Sequence, residues 1–88
     1  MKVEFLAKFS KDLDKIENVQ IKKKVVEIIN DLETADNLAQ ISNVKKIISS
    51  DNAYRIKVGD YRIGFFFEKG VIELARFVHR KDIYKVFP

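Results

Sequence analysis

Apolar residues in the first third of the chain recur first with the period of a strand and then with that of a helix. Residues 2–7, KVEFLA, alternate weakly and predict a strand. Ser10 then offers a side-chain cap for a short helix that has Asp12 in its first turn. Asn18 offers a second cap, and the apolar stripe expected behind it consists of Ile21, Val25, Ile28, Ile29 and Leu32. We therefore expect one strand followed by two helices.

The rest of the chain has the pattern of short strands. Residues 34–43 are polar and predict a loop with one helical turn, while 44–48, VKKII, fit a strand or an extended lead-in. Strands are expected at 53–58, 61–68 and 71–78, with turns at Gly59-Asp60 and Lys69-Gly70. The tail 79–88 is too short for a substantial helix. This β-α-α-β-β-β order predicts an α+β fold, with two N-terminal helices packed on one face of a small antiparallel sheet.

A two-residue loop at Gly59-Asp60 also predicts which side chains share a face of the sheet. The pairs expected are Val58–Tyr61, Lys57–Arg62, Ile56–Ile63 and Arg55–Gly64. The face expected to receive the helices carries Tyr54, Ile56, Val58, Tyr61, Ile63, Phe65 and Phe67. The opposite face carries Arg55, Lys57 and Arg62, where directly opposed like charges cost up to about 1 kcal/mol. We interpret this face as an anion site in which Gly64 leaves space for a ligand, the alternative being a solvated basic surface.

Further polar residues lie near the end of the chain. Arg76 would face the helices after a two-residue loop at Lys69-Gly70, but would lie beside Arg62 after a three-residue loop with a bulge. The segment HRKDIY, residues 79–84, can fold over an end or edge of the sheet. His79 is suited to proton transfer or to a structural role, and Tyr84 to packing or to stacking on an exposed nucleobase.

Composition narrows the class of protein. Eighty-eight residues predict a single domain, 1–88, and 47% apolar with 34% charged residues is typical of a soluble globular protein. The absence of cysteine excludes disulfides and cysteine metal sites. No apolar run approaches the roughly 18 residues of a membrane span, and the first residues lack a signal-peptide core, so we expect a cytoplasmic protein without membrane contact.

The positive charge is distributed unevenly. The net charge is +4, and every arginine lies between Arg55 and Arg80, whereas the first fifty residues carry only lysine as a basic side chain. Arginine holds phosphate with a planar fork, so its confinement to one half predicts a surface that faces phosphate. The lysine run 22–24 is better explained as a solvated helix face than as a nucleic-acid contact.

Residues 54–84, YRIKVGDYRIGFFFEKGVIELARFVHRKDIY, resemble the RelE/ParE toxins of type II toxin–antitoxin systems. The resemblance rests on a Y-R-x-K/R-V-G-D-Y-R hairpin, a further strand and a closing H-R-x-D-x-Y, and the early strand and helices extend it over nearly the whole chain. The favoured RelE branch implies a ribosome-dependent endoribonuclease that cuts mRNA without metal or cofactor, through attack by the ribose 2′-hydroxyl.

The same resemblance implies a role for each site residue. Lys57 would be the general base, and repulsion from Arg62 would favour its neutral form. Arg62 would hold the scissile phosphate, and Arg80 would stabilise it or donate a proton. Tyr84 would stack on the nucleotide, and His79 could share the acid or base role. The expected RNA-binding residues are Arg55, Lys57, Arg62, Arg76, Lys81 and Tyr84.

The chain differs from the family pattern in two places, and two other functions are alternatives to RNA cleavage. Arg55 stands where some active members have Lys, and the chain ends four residues after Tyr84, which would leave a groove or edge open for an antitoxin. The expected partner is an acidic, partly disordered antitoxin, through which the pair would bind operator DNA. The alternatives are a ParE-like inhibitor of DNA gyrase and a non-catalytic binding protein with the toxin fold.

Overall fold

The computed structural model describes all residues from Met1 to Pro88. Its helices and strands are β1 (Lys2–Phe5), α1 (Ala7–Asp14), α2 (Val19–Thr34), β2 (Val44–Lys46), β3 (Ala53–Val58), β4 (Tyr61–Glu68), β5 (Val71–His79) and α3 (Ile83–Val86). A 3-10 turn at Leu38–Gln40 joins α2 to β2. The predicted α+β order is confirmed, with VKKII supplying a short strand and the tail a single helical turn. None of the helices has the length and apolar character needed to cross a membrane.

The sheet has five strands in the order β1-β5-β4-β3-β2. Strands β2 to β5 pair antiparallel with their neighbours, whereas β1 lies parallel to β5, with Lys2 opposite Val71 and Phe5 opposite Leu74. The sheet is therefore mixed: β2 to β5 pair antiparallel as predicted, and the parallel pairing of β1 corrects the prediction at this one edge. The parallel pair joins the two ends of the chain, so no turn sequence specifies it.

The two long helices differ in how they begin. The Asn18 cap is confirmed, because its Oδ1 accepts a hydrogen bond of 3.1 Å from the Ile21 N–H. The predicted stripe of α2 faces the core, with Val25 and Leu32 fully buried. The predicted Ser10 cap is wrong, because α1 already begins at Ala7 and has no side-chain cap. This early start follows directly on β1 and brings Phe9 into the core.

Replacing the α2 cap tests this account of the helix. We expect Asn18→Ala to lower the free energy of unfolding by about 1 kcal/mol, because the Ile21 N–H loses its acceptor. Asn30→Ala is the matched control, since Asn30 is exposed in the same helix and its side chain caps nothing. Urea unfolding of both variants measures the difference, and an equal loss at both positions would contradict the capping role.

Apolar side chains cover both faces of the sheet. The main core lies between the sheet and the helices, and all seven side chains predicted for this face belong to it or pack against it. A second, smaller core on the opposite face consists of Ile47, Ala53, Ala75, Ile83 and Phe87. Helix α3 therefore packs on part of the face that the sequence predicted to be open, and only the remainder can bind a ligand.

Candidate functional site

The basic face of the sheet has the predicted register. Arg55 lies opposite Gly64 and Lys57 opposite Arg62, across a turn in which Gly59 has a φ of 58°. Strand β2 adds Lys45 directly opposite Arg55. We call the side chains of Lys45, Arg55, Lys57 and Arg62 the basic face. Four cations from three adjacent strands thus lie side by side, which is unfavourable unless an anion binds there.

Two arginines are tethered to the β3–β4 turn at one end of the basic face. The Arg62 Nη1 donates hydrogen bonds of 2.9 Å to the carbonyl oxygens of Gly59 and Tyr61. The Arg80 backbone N–H donates to the Asp60 carbonyl oxygen at 2.8 Å. The side-chain Nε of Arg80 lies 4.0 Å from the Asp60 carboxylate. Because the Nε and Nη2 of Arg62 have no protein partner, the guanidinium retains donors for a phosphate.

The other end of the basic face borders a cleft of about 430 Å³. Its lining residues are Lys45, Lys46, Ile47, Ile48, Ser49, Arg55 and Tyr84. Tyr84 lies on α3 and is 64% exposed. The structure therefore brings the tail tyrosine to the same cleft as Arg55. The sequence analysis did not nominate Lys45, Lys46 or Ile48, because their place beside Arg55 depends on the pairing of β2 with β3.

His79 lies on the other face of the sheet. It is opposite Tyr61 in register, and the two rings meet edge to face with centroids 5.8 Å apart. Its Nδ1 accepts a hydrogen bond of 3.2 Å from the backbone N–H of Lys81, whose side chain is exposed. The structure thus separates His79 from Arg62, so its catalytic role stays a prediction that the geometry does not favour.

Arg76 lies opposite Gly64, on the basic side of the sheet, but its guanidinium pairs with Asp12 of α1. Strand β5 combines a two-residue turn before it with a bulge at Ala75, two features that the sequence analysis treated as alternatives. Arg76 Nε donates to Asp12 Oδ2 at 2.7 Å, Nη2 donates to Oδ1 at 3.1 Å, and the Phe77 N–H donates to Oδ2 at 3.0 Å. An RNA contact by Arg76 stays a prediction, and this ion pair competes with it.

The carboxylate that holds Arg76 is itself only 8% exposed. Burial alone would raise the pKa of Asp12, but the hydrogen bonds from Arg76 and the Phe77 N–H outweigh it and hold this pKa below its usual value. Asp12 is therefore charged at neutral pH and fastens α1 to the part of β5 that β1 does not cover.

Gly64 does not leave room for a ligand, so that prediction is wrong. A Cβ atom at this position would lie 2.7 Å from Cδ2 of Phe87, because the phenyl ring rests directly on the glycine. The open part of the basic face is consequently limited to the turn end and the cleft beside Tyr84. The chain contains no group of three or more carboxylate or imidazole side chains that could hold a metal ion.

Comparison with known proteins identifies the family. A model of the family described as "ParE toxin of type II toxin-antitoxin system, parDE" matches residues 3–84. Toxin RelE3 of Methanocaldococcus jannaschii is 39% identical over an alignment of 89 positions that covers all of both chains.

Solved structures agree with this assignment. A chain in the RelB-RelE antitoxin-toxin complex from Methanococcus jannaschii is 36% identical and superposes with a TM-score of 0.83 over 97% of this chain and 99% of that one. A chain in the archaeal RelE-RelB complex from Pyrococcus horikoshii, 20% identical, shares the fold with a TM-score of 0.72 over 93% and 97% of the two chains. The chain belongs to the RelE/ParE superfamily of toxins from type II toxin–antitoxin systems.

Proposed function

We propose that this toxin is a ribosome-dependent endoribonuclease that cleaves mRNA by transesterification. The observation that carries the proposal is the end of the basic face, where Lys57 lies directly opposite Arg62 and Arg80 is tethered to the same turn. Three cationic residues at one turn suit a phosphate whose negative charge increases in the transition state. The toxin relatives named above, together with the cleft beside Tyr84, support RNA as the source of that phosphate.

The proposed reaction needs only the RNA, groups of this chain and solvent. The 2′-oxygen of the ribose forms a bond to the adjacent phosphorus, and the bond from phosphorus to the 5′-oxygen breaks, leaving a 2′,3′-cyclic phosphate and a 5′-hydroxyl. Lys57 accepts the proton from the 2′-hydroxyl and later releases it to solvent, while Arg80 stabilises the negative charge on the leaving 5′-oxygen, which takes its proton from a solvent molecule. Lys57 is exposed. The bound RNA and the ribosome would therefore have to exclude water from it during the reaction.

The cleft beside α3 would bind the nucleotide next to the scissile phosphate. Tyr84 presents an exposed ring on which a base can stack, and Lys45 and Arg55 lie across the cleft where they can hold a neighbouring phosphate. Lys81, exposed between Arg80 and α3, would contact the same RNA backbone. We assign no step to His79, which lies on the other face of the sheet.

Substitutions of Tyr84 test the stacking role. We expect Tyr84→Ala to slow cleavage about 10-fold, because a stacked base contributes roughly 1–3 kcal/mol, whereas Tyr84→Phe keeps the ring and most of the activity. Single-turnover cleavage on ribosomes loaded with a short mRNA measures both rates. A loss in Tyr84→Phe as large as that in Tyr84→Ala would show instead that the hydroxyl, rather than the ring, carries the effect.

Translation in a cell-free extract, followed by primer extension on the mRNA, tests the proposed function. Cleavage within codons by the wild type is the expected result. A second candidate has support from the family model that matches, which is named for ParE. Inhibition of DNA gyrase is therefore the rival activity, and gyrase-linked DNA breaks with intact mRNA would replace our proposal with it.

We further propose that an antitoxin neutralises this chain in the cytoplasm. The Methanococcus jannaschii and Pyrococcus horikoshii structures are complexes of a toxin with its antitoxin. A net charge of +4 with the basic face exposed suits an acidic, partly disordered segment that folds on binding, and operator DNA would be bound through that antitoxin. Growth arrest by the toxin should disappear when a short acidic protein encoded by the adjacent gene is co-expressed.

A further inference from the structure

We propose that Phe87, seated on Gly64, is the positioning residue that holds Tyr84 over the cleft. The inference rests on the proposed function, and it assigns a part in the reaction to an apolar contact on the basic side of the sheet. Neither Phe87 nor Gly64 touches the RNA in this proposal. They act through α3, which carries the tyrosine.

The contact between the ring and the glycine leaves no space for a side chain at position 64. A Cβ there would lie 2.7, 2.8 and 3.0 Å from three carbons of the Phe87 ring, distances at which atoms must shift. Gly64 lies within strand β4 and does not have the positive φ that would by itself require glycine. We infer that glycine is needed at this position because the ring of Phe87 packs against its backbone.

Helix α3 is a single turn that carries Tyr84 between the buried Ile83 at its start and the buried Phe87 directly after its end. Ile83 is 1% exposed and Phe87 is 3% exposed, and both belong to the second core on the basic side of the sheet. The Phe87 N–H donates to the Ile83 carbonyl oxygen at 2.9 Å, and the ring centroids of Phe87 and Phe66 lie 5.0 Å apart. Tyr84 makes no side-chain hydrogen bond of its own, so its position depends on these two anchors.

Without Phe87, Ile83 would be the one buried anchor left beside Tyr84, and it holds only the N-terminal end of α3. The Arg80 N–H bond to Asp60 fixes the start of the tail at the turn and leaves Tyr84 unrestrained. The ion pair between Lys85 and Asp82 is exposed and 3.7 Å long, so it contributes little. Loss of the Phe87 anchor should therefore displace Tyr84 while Arg62 and Arg80 keep their places.

The expected effect follows from the sensitivity of catalysis to position. A displacement of about 1 Å in a positioning group can slow a reaction by about 100-fold. We expect Phe87→Ala to slow single-turnover cleavage on programmed ribosomes by about 10-fold, which is the loss expected for Tyr84→Ala itself. Phe87→Leu, which keeps an apolar side chain in the second core, should retain most of the rate and also serves if the alanine variant does not fold.

Two double-mutant cycles separate positioning from a general loss of structure. Gly64→Ala should slow cleavage about 10-fold in the presence of Phe87, but change it within only about twofold when residue 87 is already Ala. Phe87→Ala should likewise change the rate within only about twofold in a Tyr84→Ala background. A variant that is merely less stable would lose the same factor in every background.

Hydrogen exchange supplies a readout that does not depend on activity. In Phe87→Ala and in Gly64→Ala, the amides of Lys85 and Phe87 should exchange at least about 10-fold faster, while the amides of β4 and α2 keep their protection. Equal slowing by Gly64→Ala in all backgrounds, or unchanged exchange in α3, would overturn the proposal. A wild type that cuts no mRNA would instead reject the proposed function, and the exchange rates would still decide whether Phe87 holds α3.

Discussion

Replacing Arg62 by Ala is expected to slow mRNA cleavage by about 100-fold or more while the protein remains folded. Arg62 is the cation directly opposite Lys57, and only its Nη1 is used by the turn carbonyls. Its other donors have no protein partner and can hold a phosphate that gains negative charge. The lost bonds to the turn are partly exposed, so the free energy of unfolding should change by no more than about 1 kcal/mol.

Two control variants define what the Arg62 result means. Lys23→Ala removes the same charge from the exposed side of α2, and it should leave the cleavage rate within about twofold of wild type. Arg62→Lys keeps the charge but loses the planar fork, so its rate should fall between those of wild type and Arg62→Ala. Equal losses in Lys23→Ala and Arg62→Ala would mean that net charge, rather than this site, determines activity.

Replacing Asp12 by Ala is expected to lower the free energy of unfolding by about 2–4 kcal/mol, more than Asn18→Ala or Arg62→Ala. Asp12 accepts three hydrogen bonds, two from Arg76 and one from the Phe77 N–H. Its removal would leave a guanidinium that is only 20% exposed and a strand N–H without an acceptor. Asp14→Ala is the matched control, because Asp14 is exposed in the same helix and should change stability by less than about 0.5 kcal/mol.

The lowered pKa of Asp12 gives this prediction a dependence on pH. The folded protein binds the Asp12 proton less tightly than the unfolded chain does, so this carboxylate stabilises the fold fully above its ordinary value of 3.8. That contribution decreases as the pH falls through the lower pKa that Asp12 has in the folded protein. The difference in unfolding free energy between wild type and Asp12→Asn should therefore be constant near neutral pH and shrink below about pH 4. A difference that grows on acidification would contradict the assigned sign.

The parts of the structure that the sequence predicted correctly are those specified by neighbouring residues. The turn at Gly59-Asp60 has the glycine that a positive φ requires, and the alternation on either side of it then determines every pair of the hairpin. Asn18 and the apolar stripe behind it likewise define α2 within a few residues. The opposed cations Lys57 and Arg62 followed from this local register, so the basic face was predictable as well.

The parts that could not be predicted depend on residues far apart in the chain. Asp12 and Arg76 meet across 64 positions, and the bulge at Ala75 places the arginine on the basic side of the sheet, from which its guanidinium still reaches α1. The ring of Phe87 rests on Gly64 because α3 folds back over the sheet, which changes the apparent gap on the basic face into a packed contact. The periodicity of neighbouring residues cannot predict such long-range contacts, because they depend on how the whole fold packs.

The most direct test of the central claim, that the basic face cleaves RNA through the ribose 2′-hydroxyl, uses two mRNAs. Each is loaded on ribosomes with purified toxin, and one carries a single 2′-deoxynucleotide at the scissile position. We predict that the all-ribose mRNA is cut to a 2′,3′-cyclic phosphate and a 5′-hydroxyl, whereas the 2′-deoxy mRNA stays intact. Equal cleavage of both mRNAs, or of neither, would contradict the account.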